Sequence, residues 1–187
     1  MAKTLDEYIG EITTLAEGKD RSMRWYRDTV RDIVPRNMSE AAVGRLIRRG
    51  RVEARPTYGV MNLYGYEPKG KLKLEYYDVF PLTIPIEMYK NGFLGLNLHY
   101  LDVTTRMKLL ERLMPMTAED RIIGWRRVAK LKQVKPCVKK YLARFTRTRF
   151  LPIVTEEEMT LAALMPLQQF KKASRQKVWY DSRRMIA

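Results

Sequence analysis

The apolar residues of this chain change their spacing twice, and this pattern restricts the fold more than any other feature. In the first 50 residues they recur at helical spacing, beginning with Leu5, Tyr8, Ile9, Ile12 and Leu15. From residue 52 to residue 101 the sequence alternates, which is typical of strands; after residue 101 the helical spacing returns. We therefore predict an α+β fold, with a small antiparallel β-sheet or open barrel over about residues 52–101 flanked by N-terminal and C-terminal helices.

The length and the linker composition predict one domain over residues 1–187. It would consist of a helical N-terminal part (1–50), a β core (52–101) and a basic helical part (102–187). No stretch is rich enough in Gly, Pro or Ser to separate two domains. The single cysteine excludes an internal disulfide and fits a reducing compartment.

Residues 75–101, EYYDVFPLTIPIEMYKNGFLGLNLHYL, contain the clearest strand and turn signals. Pro81 and Pro85 cannot donate hydrogen bonds to a ladder, so they predict an edge strand or a bend. Gly92 and Gly95 predict a turn and a bulge. We predict strands over residues 73–80 and 93–101.

Capping signals divide the C-terminal part into helices. Residues 117–120 and 155–158 each begin with a threonine that an acidic residue follows three positions later, which is typical of a capping box. Pro136 suits the first turn of a helix with an apolar face of Val138, Tyr141, Leu142 and Phe145. Pro166 is expected to open a last short helix that carries Phe170.

The charge is unevenly distributed along the chain. There are 36 Lys and Arg residues and 21 Asp and Glu residues, a net charge of +15. Residues 1–43 contain seven basic and eight acidic residues, and residues 121–155 contain eleven basic residues and no acidic one. Because like charges repel, this excess favours a polyanionic partner, most often nucleic acid. The alternative is charge that only keeps the protein soluble.

Few residues suggest catalysis. Cys137 lies close to Lys135, Lys139 and Lys140, but free cysteines are mostly small buried hydrophobes, so we interpret it as a core residue. His99 alternates with leucines and is also expected in the core, and one histidine without a cysteine cluster argues against a zinc site. A metal-dependent nuclease is the alternative, with Asp78 as an acid followed by a Glu-x-Lys pair on one strand face. Here Glu87 and Lys90 are three positions apart, which places them on opposite faces. No phosphate-binding glycine motif occurs. We therefore predict no cofactor and no enzymatic activity.

The basic part contains the residues expected to bind phosphates, and no helix has a polar face suited to reading bases. We therefore predict backbone contacts without sequence readout. Trp179, in a charged segment, is a candidate for stacking on bases, whereas Trp25 and Trp125 are expected in the core. The predicted nucleic-acid-binding residues are Arg126, Arg127, Lys130, Lys132, Lys139, Lys140, Arg144, Arg147, Arg149, Lys171, Lys172, Arg175 and Trp179.

Several motifs resemble those of a known family over roughly residues 57–182. They are Tyr64-x-Tyr66-x-Pro68-Lys69, Tyr76-Tyr77-Asp78-x-Phe80-Pro81-Leu82, Gly92-Phe93-Leu94-Gly95-Leu96-Asn97-Leu98-His99-Tyr100-Leu101, Cys137-Val138-Lys139-Lys140-Tyr141-Leu142 and Val178-Trp179-x-Asp181-Ser182. On these residues the chain resembles the DNA end protector proteins of T-even-type tailed bacteriophages.

The resemblance implies a virion protein that is not an enzyme. It would bind the end of the packaged linear double-stranded DNA, shield that end from host exonuclease and act in head completion, after a stage in the host cytoplasm. The alternative is a structural neck, portal or tail component whose basic face docks onto other virion proteins. Neither hypothesis includes a membrane.

Overall fold

The computed structural model describes residues 3–15, 22–113 and 118–187. In these ranges the helices are α1 (Leu5–Leu15), α2 (Met23–Ile33), α3 (Glu40–Arg49), α4 (Val103–Leu113), α5 (Ala118–Val128), α6 (Glu156–Leu164) and α7 (Arg175–Ile186). The strands are β1 (Met61–Leu63), β2 (Tyr77–Asp78), β3 (Leu82–Tyr89), β4 (Gly92–Asn97), β5 (Val138–Leu142), β6 (Leu151–Ile153) and β7 (Phe170–Lys171).

Five strands form an open antiparallel sheet in the order β5-β4-β3-β1-β6, and β2 pairs with β7 beside it. The predicted α+β class is confirmed, because helices from both ends of the chain flank this sheet. The extent of the predicted sheet was wrong, however. Both edge strands, β5 and β6, come from the part that was expected to be helical.

The helix predicted after Pro136 is therefore absent. Pro136 lies in a 3-10 turn over Lys132–Cys137, and the chain continues as β5. The spacing of Val138 and Tyr141 also fits a helix, but pairing of β5 with β4 outweighs that local preference.

Gly92 makes this pairing possible. A Cβ atom at Gly92 would lie 1.9 Å from the carbonyl oxygen of Tyr141 on β5. Only glycine allows the two backbones to approach so closely.

The prolines of the central segment act through a bulge. Pro85 lies inside β3, which is an interior strand rather than an edge, and the register with β4 shifts between Pro85 and Glu87. The bulge removes the need for a ladder donor at the proline. The predicted bend is thus confirmed, and the predicted edge position was wrong.

Three further predicted elements have other bounds in the structure. Of residues 73–80 only Tyr77–Asp78 is a strand, and the predicted strand over 93–101 ends at Asn97, before a 3-10 turn over Leu98–Tyr100. The short helix expected after Pro166 is replaced by β7 and then α7.

The capping box at residues 155–158 is confirmed. The Thr155 hydroxyl accepts from the Glu158 amide, and the Glu158 carboxylate accepts from the Thr155 amide. The box predicted at residues 117–120 begins at a residue outside the described ranges.

The two faces of the sheet bury different side chains. One face presents aliphatic residues, such as Leu63 and Leu96, to the helices, and this core extends along the chain from Leu5 to Val178. Because side chains alternate along a strand, Phe93 and Tyr141 point to the other face. There they join a small aromatic cluster with Tyr64, Tyr66 and Phe150. The one-domain organisation stays a prediction.

Candidate nucleic-acid interface

The predicted binding residues do not form one continuous helical face. The structure distributes them over the end of the β3–β4 hairpin, a groove beside β7, and the surface around α7. The contacts of these side chains differ between the three places. Some cations have no carboxylate partner among the described residues, whereas others form ion pairs or hydrogen bonds that stabilise the fold.

Three exposed cations contact the β3–β4 hairpin, one along β3 and two near its turn. Arg126 donates from Nε to the carbonyl oxygen of Ile86 at 3.1 Å. Lys140 Nζ lies 5.0 Å from the ring centre of Tyr89, and Arg144 lies next to the hairpin turn, where it shares a small cavity with Asn91. We name Arg126, Lys140 and Arg144 the hairpin surface. None of the three forms an ion pair with a carboxylate in the described part of the chain.

Lys139 differs from Lys140 because the two belong to a strand and point to opposite faces. The prediction that both lie away from one apolar helical stripe was therefore wrong. Lys139 is half-buried, with Nζ 4.3 Å from the ring centre of Tyr100, and burial lowers the pKa of its amine. The aliphatic part of the Lys139 side chain is therefore packed against the protein.

Four other predicted cations are exposed around the sheet. Arg127, Lys130 and Arg149 make no side-chain hydrogen bond or ion pair with the described residues. Lys132 donates from Nζ to the carbonyl oxygen of Ala187 at 2.8 Å. All four keep their charge accessible to an anion.

A second set of cations is already matched within the fold. Arg147 Nε lies 2.9 Å from the Glu67 carboxylate, and Lys171 pairs with Glu40. These four residues and Arg48 line a cavity of about 430 Å³, which we name the paired groove.

Lys172 lies next to this groove and has a structural contact of its own. Its Nζ donates to the carbonyl oxygens of residues 71, 72 and 74 at 2.7, 3.0 and 2.9 Å. Its φ of 68° is in the left-handed region, which is unfavourable for a lysine. The three hydrogen bonds stabilise that conformation, and they also hold the turn before β2 in place.

Trp179 and Arg175 lie at the third place, on α7. Trp179 is half-buried, and its Nε1 donates to the carbonyl oxygen of His99 at 2.9 Å, which fixes the ring. The Arg175 guanidinium lies 5.9 Å from the ring centre. Trp125 is buried as expected, and Trp25 packs against the same core.

Arg175 and Trp179 line a cavity of about 510 Å³ together with three arginines that the sequence analysis did not select. These are Arg27, Arg31 and Arg36, from α2 and the residues after it. We name this site the arginine cavity. The spacing of Arg27 and Arg31, one helical turn apart, was a possible signal. Because residues 1–43 have a net charge close to zero, this part of the chain was not expected to bind an anion.

A buried arginine lies beneath the same site. Arg106 is fully buried and donates to the carbonyl oxygens of Leu101, Ala163 and His99 at 2.8, 3.2 and 3.3 Å. Burial lowers the pKa of its guanidinium to about 10, so it stays charged at neutral pH. Its carbon Cζ lies 5.6 Å from the Trp179 ring centre.

The residues considered for catalysis belong to the core, as the sequence indicated. His99 is buried with Nδ1 2.7 Å from Asp78 Oδ2, and burial lowers its pKa. Burial also raises the pKa of the Cys137 thiol to about 12. Asp78 accepts from the Phe80 amide at 3.1 Å and from the Asn97 side chain at 3.1 Å. Glu87 is exposed, whereas Asp78 is buried, so the two do not face a common site.

Two further findings apply to the described ranges only. No group of three or more His, Cys, Asp or Glu side chains is arranged to hold a metal ion there. None of the helices found there is long and apolar enough to cross a bilayer.

The fold and the charges define a basic α+β protein with an open antiparallel sheet and several cationic sites that have no carboxylate partner among the described residues. Such an arrangement is able to bind a polyanion. The chain belongs to the family described as Phage T4 terminal DNA protecting protein, whose model matches residues 4–185. It is thus a member of a bacteriophage DNA-protecting family. The chain matches no curated protein and no solved structure.

Proposed function

We propose that this protein binds the end of the packaged linear double-stranded phage DNA and protects it from host exonuclease. Binding is to the phosphate backbone, without sequence specificity, and takes place during head completion, first in the host cytoplasm and then in the virion. The protein acts by occupying the DNA end rather than by chemistry. Other head, neck or tail proteins are its further partners.

The observation that carries this proposal is the set of exposed cations without carboxylate partners at the hairpin surface and on the adjoining residues. Lys140 and Arg144 lie near the hairpin turn, Arg126 contacts β3 at Ile86, and Arg127 and Lys130 follow Arg126 along the chain. Each phosphate neutralised releases condensed counterions from DNA, which favours binding. Family membership supports DNA ends as the target.

Three features support a role without sequence readout or catalysis. The exposed cations lie on a strand, a helix end and loops rather than along one helix that could enter a groove. The Cys137 thiol is buried with a raised pKa, so it is a poor nucleophile at neutral pH. The Asp78 carboxylate is already hydrogen-bonded to His99 and Asn97 in the core.

The test is exonuclease digestion of linear duplex in the presence of the protein, together with binding measured against salt. The wild-type protein should protect the duplex, and its affinity should fall steeply as salt rises. The triple variant Arg126→Gln/Lys140→Gln/Arg144→Gln should lower the slope of log affinity against log salt by about 3, because about 0.9 ion is released per phosphate contact.

A charge-matched control is the variant Arg45→Gln/Lys73→Gln/Lys108→Gln, whose three exposed cations lie on separate elements. It should keep most of the slope and most of the protection. Equal losses in both variants would contradict a defined surface. A protein that ignores DNA at about 50 mM salt but copurifies with virus particles would instead favour docking onto virion proteins.

A further inference from the structure

The arginine cavity differs from the other large cavities of the protein in the balance of its charges. Arg27, Arg31, Arg36 and Arg175 line it, and no acidic residue of the described ranges does. In contrast, the cavity of about 730 Å³ beside β6 is lined by two arginines and three acidic residues, which are Arg51, Arg55, Asp6, Glu53 and Glu158. The arginine cavity is therefore suited to an anion that the protein itself does not supply.

The arginines at its rim have little internal compensation. Arg27 and Arg36 are exposed and make no side-chain hydrogen bond or ion pair with the described residues. Arg31 lies 4.0 Å from a carboxylate oxygen of Asp28, a long contact between two exposed groups. Such surface contacts are weak, so all three guanidinium groups are available.

A buried polar side chain also faces this cavity without a partner. Gln168 lines the cavity and is only 7% exposed. Its Oε1 has no hydrogen-bond partner among the described residues. Leaving a buried amide unpaired is costly. Because Oε1 is closed to solvent, a ligand with hydrogen-bonding groups reaches this oxygen only when the Gln168 side chain turns toward the cavity.

The cavity has a rigid aromatic wall, and a buried charge lies behind that wall. The Trp179 ring is held by its hydrogen bond to the His99 carbonyl, which also accepts from Arg106. The charge of Arg106 lies under the ring, where three carbonyl oxygens accept its hydrogen bonds and the Asp78 and Asp102 carboxylates attract it at longer range. An aromatic wall next to guanidinium groups suits a base linked to a phosphate.

We propose that the arginine cavity binds the 5′-phosphorylated terminal nucleotide of the DNA end, an assignment that rests on the proposed function. The volume of about 510 Å³ is within the range of small-ligand sites. The arginines bind the terminal phosphate through paired N–H donors, and the base packs against Trp179. A terminal phosphate carries more negative charge than an internal one, so the site distinguishes ends from continuous duplex.

The first experiment measures binding of deoxyadenosine 5′-monophosphate, with deoxyadenosine as the comparison ligand. The wild-type protein should bind the nucleotide and not the nucleoside. The variant Arg27→Gln/Arg36→Gln should weaken nucleotide binding by about 100-fold, because each charge-assisted contact contributes about tenfold. The control Arg45→Gln/Lys108→Gln changes two exposed cations that do not line the cavity, and should bind as the wild type does.

The second experiment compares linear duplex with 5′-phosphate ends, linear duplex with 5′-hydroxyl ends and closed circular duplex of equal length. Wild-type protein should prefer the phosphorylated ends by about tenfold. Arg27→Gln/Arg36→Gln should lose that preference, whereas the hairpin-surface triple variant should keep it while binding all three more weakly.

Duplex binding without any nucleotide binding, or without a preference for phosphorylated ends, overturns the cavity assignment and leaves the proposed function in place. Nucleotide binding without duplex binding at about 50 mM salt overturns the proposed function and retains the cavity as a nucleotide site.

Discussion

The arginine cavity and the paired groove are both cationic, but the charges in the two sites serve opposite purposes. In the paired groove Arg147 and Lys171 face Glu67 and Glu40, so its charges stabilise contacts between segments distant in sequence. In the arginine cavity no lining residue is acidic. Net charge along the sequence therefore does not locate a binding site; the distribution of counter-charges within the fold does.

The largest effect should come from reversing two charges in each site, which tests whether the two sites differ in function. Arg27→Glu/Arg36→Glu should reduce affinity for phosphorylated duplex ends by about 100-fold or more, because two attractions become repulsions. Thermal unfolding should change little, because neither side chain has an internal partner.

The matched variant is Arg147→Glu/Lys171→Glu, with the same change in net charge. It should lower the Tm, because each new carboxylate faces Glu67 or Glu40, and it should reduce end binding far less. If the two variants lose DNA affinity equally, total charge rather than position controls binding.

The stability of the core near the arginine cavity should depend on pH through His99. Burial lowers the pKa of His99 below its ordinary value of 6.5, although Asp78 acts in the opposite direction. The unfolded chain therefore gains a proton near pH 6.5 that the folded protein does not. The free energy of unfolding should be insensitive to this group above pH 6.5 and fall below it, by up to about 1.4 kcal/mol per pH unit.

Denaturant unfolding of wild type and His99→Gln across pH 5 to 7.5 measures this slope. The variant should show a flatter profile between pH 5 and 6.5. An unchanged slope would mean that other groups are responsible.

A smaller effect is expected from Gln168, which separates ligand binding from folding. Gln168→Met removes the amide and keeps the length of the side chain. Affinity for deoxyadenosine 5′-monophosphate should fall by about fivefold, since one neutral hydrogen bond is lost. Because Oε1 has no partner among the described residues, stability should stay the same or rise. Calorimetric titration and thermal unfolding give the two values, and a destabilised variant with normal affinity would contradict the assignment.

The smallest effect on DNA affinity is expected when one carboxylate of the paired groove is removed, so that its cations lose their partner. Glu67→Gln frees both Arg147 and Lys71 from their carboxylate. Affinity for duplex should rise by about twofold at low salt, because exposed cations each add a modest attraction. Gel-shift titrations in low and high salt measure this gain. Glu75→Gln is the control and should give less, because Lys177 loses only a contact of 3.3 Å and keeps its ion pair with Asp181 at 2.6 Å.

Local signals in the sequence predicted part of this fold. The capping box at Thr155 and the core positions of α1 depend on neighbouring residues only, and both were recognisable. Strand β5 depends on Gly92, 46 positions before it, and no local pattern contains that information. Prediction from the sequence therefore failed for the elements that depend on pairing between distant segments.

The candidate site was predictable to a lesser degree. The excess of basic residues indicated a polyanion partner, but sequence cannot tell that Lys172 binds three carbonyls whereas Arg127 is free. Arg27 and Arg36 were missed because acidic residues near them in sequence cancel their charge. Of these acids, Asp28 and Asp32 are described by the structure, and neither lines the cavity.

The origin of the two outer strands has a consequence for the order in which the protein is made. During synthesis β1, β3 and β4 leave the ribosome first, with both outer edges of their sheet unpaired until β5 and β6 follow. Open edges promote association between chains. Chains that stop before residue 138 should therefore aggregate, and chains that extend beyond residue 153 should be soluble.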